Sequence, residues 1–219
     1  YAPAWHVLRL AGAELAPLPV DADGLRVDAL AELVARRTIR AVYLTPHHQY
    51  PTTATLKADR RLALLELARR HRFAILEDDY DHEFHYEGRP VLPLASADAH
   101  GSVVYVGTLS KVLAPGIRIG YVVAPPTIVD RLAAYRTHVD RQGDPAVERA
   151  VATLFEEGEV ERHVHRMRRL YRGRRDALAD ALERAFHERL TFQRPPGGMA
   201  LWAKVHDVDP DVWLSRCEE

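Results

Sequence analysis

Short runs of β-branched and aliphatic residues alternate along this chain with stretches of helical periodicity, and that alternation is its strongest fold constraint. Residues 39–44, 72–76, 102–106 and 118–123 carry the first pattern, the last two with apolar character that reads as buried. Residues 27–37 carry the second, with Leu30, Leu33 and Val34 on one face, and so do residues 57–71, where Leu62, Leu65 and Leu67 give the apolar side. Parallel neighbours cannot be joined by a tight turn, so strands separated by helices predict crossover connections and an α/β fold with a mostly parallel sheet. Residues 14–20 read as a further strand, and residues 4–11, 126–141 and 145–157 as helices.

Residues 160–186 are helical for about seven turns at ~3.6 residues per turn, longer than one core usually needs. Strand patterns at residues 190–193 and 199–205 follow, separated by Arg194-Pro195-Pro196-Gly197-Gly198, where the glycine pair reads as a turn needing positive φ. The expected organisation is a large domain over residues 1–160, then a connecting helix and the beginning of a small C-terminal α/β domain over residues 161–219. A helical pattern that starts almost at Tyr1, and another that begins at Asp209-Pro210 close to Glu219, lead us to expect a fragment of a longer protein.

Thirty basic against 31 acidic side chains give a formal charge of −1, so the chain as a whole has no electrostatic pull toward nucleic acid or anionic membrane. The single cysteine, Cys217, cannot form an internal disulfide, and no signal peptide or long apolar span is visible. These features favour a reducing, cytoplasmic setting.

The segment Gly107-Thr108-Leu109-Ser110-Lys111 places a lysine directly after a predicted strand, behind two hydroxyl residues and seven positions before Arg118. A lysine amine condenses with an aldehyde only when unprotonated, a state favoured by partial burial near other positive charge. Thr108 and Ser110 offer hydroxyl donors to phosphate oxygens, and Arg118 a planar fork of donors. The same residues are also compatible with a surface Ser-Lys turn and an unrelated arginine.

Asp78, Asp79 and Asp81 stand at the carboxyl end of the strand at residues 72–76, the edge where open parallel sheets bind ligands. They admit three readings: a carboxylate paired with a protonated ring nitrogen, a divalent-cation site, or caps and solvated loop charges. His47-His48 does not predict zinc, because adjacent residues point in different directions and no spaced Cys or His partner accompanies them. His82, His85, His163 and His165 read mostly as solvated, and no residue is assigned to a metal.

Three ordered segments carry a family resemblance: Thr45-Pro46-His47-His48-Gln49-Tyr50-Pro51, then residues 77–90 (EDDYDHEFHYEGRP), then residues 107–121 (GTLSKVLAPGIRIGY). Together they resemble the class I and II aminotransferases, and more narrowly the effector domain of MocR-type regulators in the GntR superfamily. The resemblance implies a three-layer α/β/α large domain that binds pyridoxal 5'-phosphate. It implies that Lys111 forms the Schiff base and moves protons in active enzymes, that Asp78 pairs with the pyridine nitrogen, and that Tyr80 bonds the ring hydroxyl. Thr108, Ser110 and Arg118 would hold the phosphate, and Tyr1 would stack on the ring.

The chain departs from the family where many members have Asn-Pro-Thr-Gly and this sequence has Tyr50-Pro51-Thr52-Thr53, which leaves Gln49 or Tyr50 to replace the asparagine. By the resemblance, a further phosphate loop lies before Tyr1 and a substrate-carboxylate arginine after Glu219. Two functions follow from it: a sensor of a small amine or amino acid, relayed to DNA through a winged helix-turn-helix outside this chain, or a free-standing transaminase acting on an amino acid and a 2-oxo acid. Whether turnover occurs is left open. A homodimer is expected, as is the absence of membrane contact. A phosphate- or metal-binding α/β module is the third reading, and it leaves Lys111 unexplained.

Overall fold

Two helices packed on one sheet set the architecture, and the second of them crosses over between parallel strands. The computed structural model describes residues 1–217, in which α2 (Val27–Arg36) precedes β3 (Ala41–Leu44) and α3 (Ala58–His71) precedes β4 (Ala74–Asp79). α2 buries Val27, Leu30 and Val34, α3 buries Arg61, Leu64 and Ala68, and both pack on the sheet through Val42, Leu44, Ile75 and Val103. α3 ends where Arg72 turns left-handed at φ 55°, its N–H returning to the Ala68 carbonyl, and the chain then enters β4.

The sheet order is β3-β4-β5-β6, with β5 spanning Val103–Thr108 and β6 Gly120–Val123. β3, β4 and β5 run parallel, and β6 returns antiparallel to β5. This is the mostly parallel α/β sheet expected. Beyond it lie α4 (Pro126–Val139), α5 (Pro145–Glu156), α6 (Glu159–Phe186), the antiparallel pair β7 (Leu190–Phe192) and β8 (Ala203–Val205), and α7 (Pro210–Cys217). At the other end, α1 covers Ala2–Leu10.

Three expectations are corrected. The inward face of α3 is Arg61, Leu64 and Ala68 rather than Leu62, Leu65 and Leu67, of which Leu62 is exposed and the other two only partly buried. Of residues 14–20 only Val20 enters a strand, β1 (Val20–Asp21), which forms a hairpin with β2 (Gly24–Leu25). Pro17 and Pro19 lack the N–H groups a ladder needs, and Asp21 Oδ1 instead closes the turn by accepting the Asp23 N–H at 2.8 Å. The strand placed at residues 118–123 begins only at Gly120, because Arg118 is left-handed at φ 54°, and all four of its residues are exposed. β6 is the sheet edge among the described residues, so its apolar pattern does not translate into burial.

β4 is the element that builds the site. Its residues alternate in burial, with Ile75, Glu77 and Asp79 turned into the core and Leu76 and Asp78 toward the opposite face. Glu77 is fully buried and accepts the Leu94 and Ala95 N–H groups at 2.7 and 3.0 Å, at the start of a 3₁₀ turn over Leu94–Ala97. Burial pushes its carboxyl above the ordinary value, and those two hydrogen bonds oppose the shift.

Candidate functional site

Asp78 is half-buried at the carboxyl end of β4, level with Val106 of β5. The Tyr43 hydroxyl, from β3, donates to Asp78 Oδ2 at 2.5 Å, and Oδ1 has no hydrogen-bond partner among the described residues. Burial pushes the Asp78 carboxyl up, the Tyr43 hydrogen bond pulls it down, and the charges of Asp79 and Asp81 push it up again. Burial and Asp78 together push the Tyr43 phenol up, so it stays protonated.

Thr108 closes β5, and the turn that follows carries Ser110 and Lys111. The Ser110 N–H donates to Thr108 Oγ1 at 3.2 Å, which leaves the Thr108 hydroxyl proton free to be donated elsewhere. The Leu109 N–H donates to the Ile119 carbonyl at 2.9 Å and folds the Arg118 segment back along this turn. Lys111 and Arg118 are exposed, and neither side chain has a hydrogen-bond or ion-pair partner among the described residues. The topology thus brings Asp78, Thr108, Ser110, Lys111 and Arg118 to the carboxyl edge of two adjacent parallel strands, where such sheets bind ligands.

The loop after β3 forms the third side. Thr45 Oγ1 accepts the Tyr50 N–H at 2.9 Å, and the Thr53 N–H bonds the Gln49 carbonyl at 2.7 Å. The Tyr50 ring stands edge-on to Tyr1 and Tyr80, with centroids 5.9 and 6.4 Å apart. Tyr1 therefore belongs to this corner of the molecule. The Tyr80 hydroxyl donates to the His48 carbonyl at 2.9 Å. Its one proton is committed there, so toward a ring hydroxyl it offers an acceptor.

The histidines and the remaining acids depart from the sequence reading. His47 and His48 are both buried. His48 Nδ1 lies 2.7 Å from Asp81 Oδ1, and His47 Nδ1 lies 3.2 Å from Asp79 Oδ2 without a well-aligned hydrogen bond. His82, expected to be solvated, is mostly buried and places Nδ1 3.0 Å from the same Asp79 oxygen, which also accepts the Tyr105 hydroxyl at 2.8 Å. Burial pushes Asp79 up, but the His47 and His82 contacts outweigh it and hold the carboxyl far below its ordinary value. The acidic run therefore splits: Asp78 faces the ligand edge, Asp79 the histidine cluster, and Asp81 the loop. Among the described residues no three His, Cys, Asp or Glu side chains form a metal-binding group. The signal available in sequence was the pairing of two histidines after one strand with two buried-register acids on the next.

The sequence profile of the aminotransferase class I and II family matches residues 1–216. The chain is 34% identical over 209 residues to aromatic-amino-acid aminotransferase 1 of Thermococcus litoralis, covering 93% of this chain and 50% of that protein. It is 35% identical over 219 residues to the probable rhizopine catabolism regulatory protein MocR of Rhizobium meliloti, covering 100% of this chain and 44% of that protein. Among solved structures, LysN, the α-aminoadipate aminotransferase of Thermus thermophilus complexed with N-(5'-phosphopyridoxyl)-L-leucine, superposes with a TM-score of 0.91 at 29% identity, covering 100% of this chain and 57% of that one. The fold is that of the aminotransferase class, and the chain belongs to the class I and II aminotransferase family. It spans about half the length of the relatives it matches.

The donor set fits a pyridoxal phosphate. A half-buried carboxylate with one oxygen free, an unpaired primary amine, two hydroxyls and an unpaired guanidinium lie at one sheet edge. In the adjoining loop Thr52 Oγ1 is buried without a hydrogen-bond partner among the described residues.

Proposed function

We propose that this chain is a pyridoxal 5'-phosphate-binding domain that senses an amine or amino acid as the effector part of a MocR-type regulator. The observation that carries the cofactor assignment is Asp78, a half-buried carboxylate on β4 with its outer oxygen unbonded, one strand away from the turn that bears Lys111. When bound, pyridoxal phosphate supplies an aldehyde that condenses with amines and a ring that withdraws electrons from the attached carbon. Lys111 would bind the aldehyde carbon, Asp78 would hold a proton at the ring nitrogen, and Thr108, Ser110 and Arg118 would grip the phosphate with charge-assisted hydrogen bonds. Tyr1 and Tyr50 would exclude water from one side of the ring. Residues 1–160 would form the cofactor domain and residues 161–219 the start of the smaller one, the working unit being a homodimer.

The regulatory reading draws on the match over the whole chain to MocR and on two HTH-type transcriptional regulators of Bacillus subtilis at 32% and 31% identity. Transamination is the second reading, favoured by the 34% match to the Thermococcus litoralis enzyme. DNA would be contacted only by a separate domain. None of the described helices is long and apolar enough to cross a membrane.

Borohydride reduction of the intact protein with pyridoxal phosphate, followed by peptide mass mapping, tests the assignment. The expected result is a permanent adduct on Lys111 that Lys111→Ala lacks, and an adduct distributed over other lysines overturns it. Ligand-dependent DNA binding without release of a 2-oxo acid favours the sensor, and steady turnover favours the transaminase.

A further inference from the structure

Tyr43 was read from the sequence only as part of a strand, yet it makes the one side-chain hydrogen bond that Asp78 receives among the described residues. β3 and β4 pair in parallel with Tyr43 opposite Leu76. The phenol therefore starts two residues short of Asp78 on the neighbouring strand and reaches forward along the same face to Oδ2. A distance of 2.5 Å is that of a charge-assisted O–H···O⁻ bond, roughly twice as strong as a neutral one. No other described side chain donates to Asp78, while Asp79 and Asp81 lie close enough to repel its charge.

We propose that Tyr43 is a positioning residue for the cofactor, occupying Oδ2 of Asp78 so that Oδ1 is presented to the ring nitrogen and the carboxylate remains ionised opposite it. This rests on the assignment of Asp78 as the ring-nitrogen partner. A carboxylate that lost the Tyr43 bond would be a stronger base, free to rotate about χ2, and would draw the shared proton from the ring nitrogen to itself. The ring would then be a weaker electron sink although every group that touches it is intact. Tyr43 acts only through Asp78 and touches neither substrate nor reacting atoms.

The test uses the intact protein loaded with pyridoxal phosphate labelled with ¹⁵N in the ring, in the wild type and in Tyr43→Phe and Asp78→Asn. Tyr43→Phe keeps the ring that packs in the strand and deletes only the hydroxyl. We expect it to weaken cofactor binding on the order of 10-fold, as for loss of a hydrogen bond to a charged group, and to move the ring ¹⁵N resonance part of the way toward the position seen in Asp78→Asn. Wild-type affinity together with a wild-type ¹⁵N resonance in Tyr43→Phe overturns the role of Tyr43. An Asp78→Asn resonance that matches the wild type overturns the assignment of Asp78 beneath it, a distinguishable result. If Tyr43→Phe does not fold, 3-fluorotyrosine at position 43 replaces it: a more acidic phenol should shift the resonance further toward the protonated ring, and no shift overturns the proposal.

Discussion

The carboxylate of Asp81 holds the imidazole of His48, with Oδ1 and Nδ1 2.7 Å apart and the two side chains 1% and 5% exposed. Its other oxygen accepts the Met199 N–H at 3.1 Å. One buried acid thus ties the loop after β3 to the turn that precedes β8, and the Tyr86 hydroxyl adds a second tie to the Gly198 carbonyl at 2.8 Å.

Asp81→Ala is expected to cost about 3–5 kcal/mol, because it strands a buried imidazole and a buried N–H together. Asp81→Asn keeps one acceptor oxygen for the Met199 N–H and turns an NH₂ donor toward His48 Nδ1, which the other imidazole tautomer accepts, so it should cost distinctly less. Urea unfolding monitored by tryptophan fluorescence compares the two, and equal losses would show that the tie is not carried by the carboxylate's hydrogen bonds.

Gly198 has φ +81°, and its N–H bonds the Phe84 carbonyl at 2.7 Å. A Cβ there would lie 3.0 Å from Asp81 Oδ2 and 3.1 Å from His48 Cγ. Gly198→Ala combines a strained backbone with a crowded hydrogen-bonded pair, and a loss of about 1–3 kcal/mol is expected in the same unfolding measurement. Gly88, also at positive φ but with open space around its Cβ, is the control: Gly88→Ala should lose only the backbone part.

Much of the fold follows from local pattern. The strand-helix-strand order specified the parallel sheet, and the 28 residues of α6 were periodic enough to read directly. The placing of Lys111 and Asp78 at strand ends was legible because each lies in a contiguous motif directly after or at the end of a strand. What could not be read depends on contacts between distant residues: Tyr43 with Asp78 lies across 35 positions, His48 with Asp81 across 33, and Tyr105 with Asp79 across 26. Histidine and arginine are polar by composition, so their burial is visible only once the sheet supplies partners for them.

Arg61 shows this best. It is 7% exposed, on α3, and donates from Nε to the Leu56 carbonyl at 2.8 Å, from Nη1 to Leu92 at 2.9 Å and from Nη2 to Pro46 at 3.1 Å. Burial lowers its pKa, opposed by the charges of Glu77 and Asp79. Because it fastens the residue that opens the His47-His48 loop, Arg61→Ala should lose roughly 3 kcal/mol or more and speed amide exchange at residues 46–56. Arg61→Lys should recover only part, since one ammonium cannot span three divergent carbonyls. Exchange rates unchanged in Arg61→Ala would dissociate the loop from this guanidinium.

His82 gives a pH dependence whose sign is fixed. Burial alone would lower its pKa, but Asp79, with Glu83 and Asp81 beyond it, raises it above 6.5. Tyr105, bonded to the same Asp79 oxygen, stays protonated because its own pKa is raised by burial and by Asp79. A raised folded-state value means that the His82 contribution is fully present below about pH 6.5 and is lost as pH climbs through the folded value. Asp79, shifted the other way, holds its contribution above the ordinary carboxylate range and stays ionised throughout this window. Stability should therefore decline as pH rises above about 6.5, with a component of at most about 1.4 kcal/mol per pH unit from this group. His82→Gln keeps a neutral donor for Asp79 and removes that component. His85, whose pKa burial lowers, is present in both proteins, so the difference between the two stability curves isolates His82. Chemical denaturation at several pH values measures it, and parallel curves for the wild type and His82→Gln would mean that the His82–Asp79 contact does not carry a charge in the folded protein.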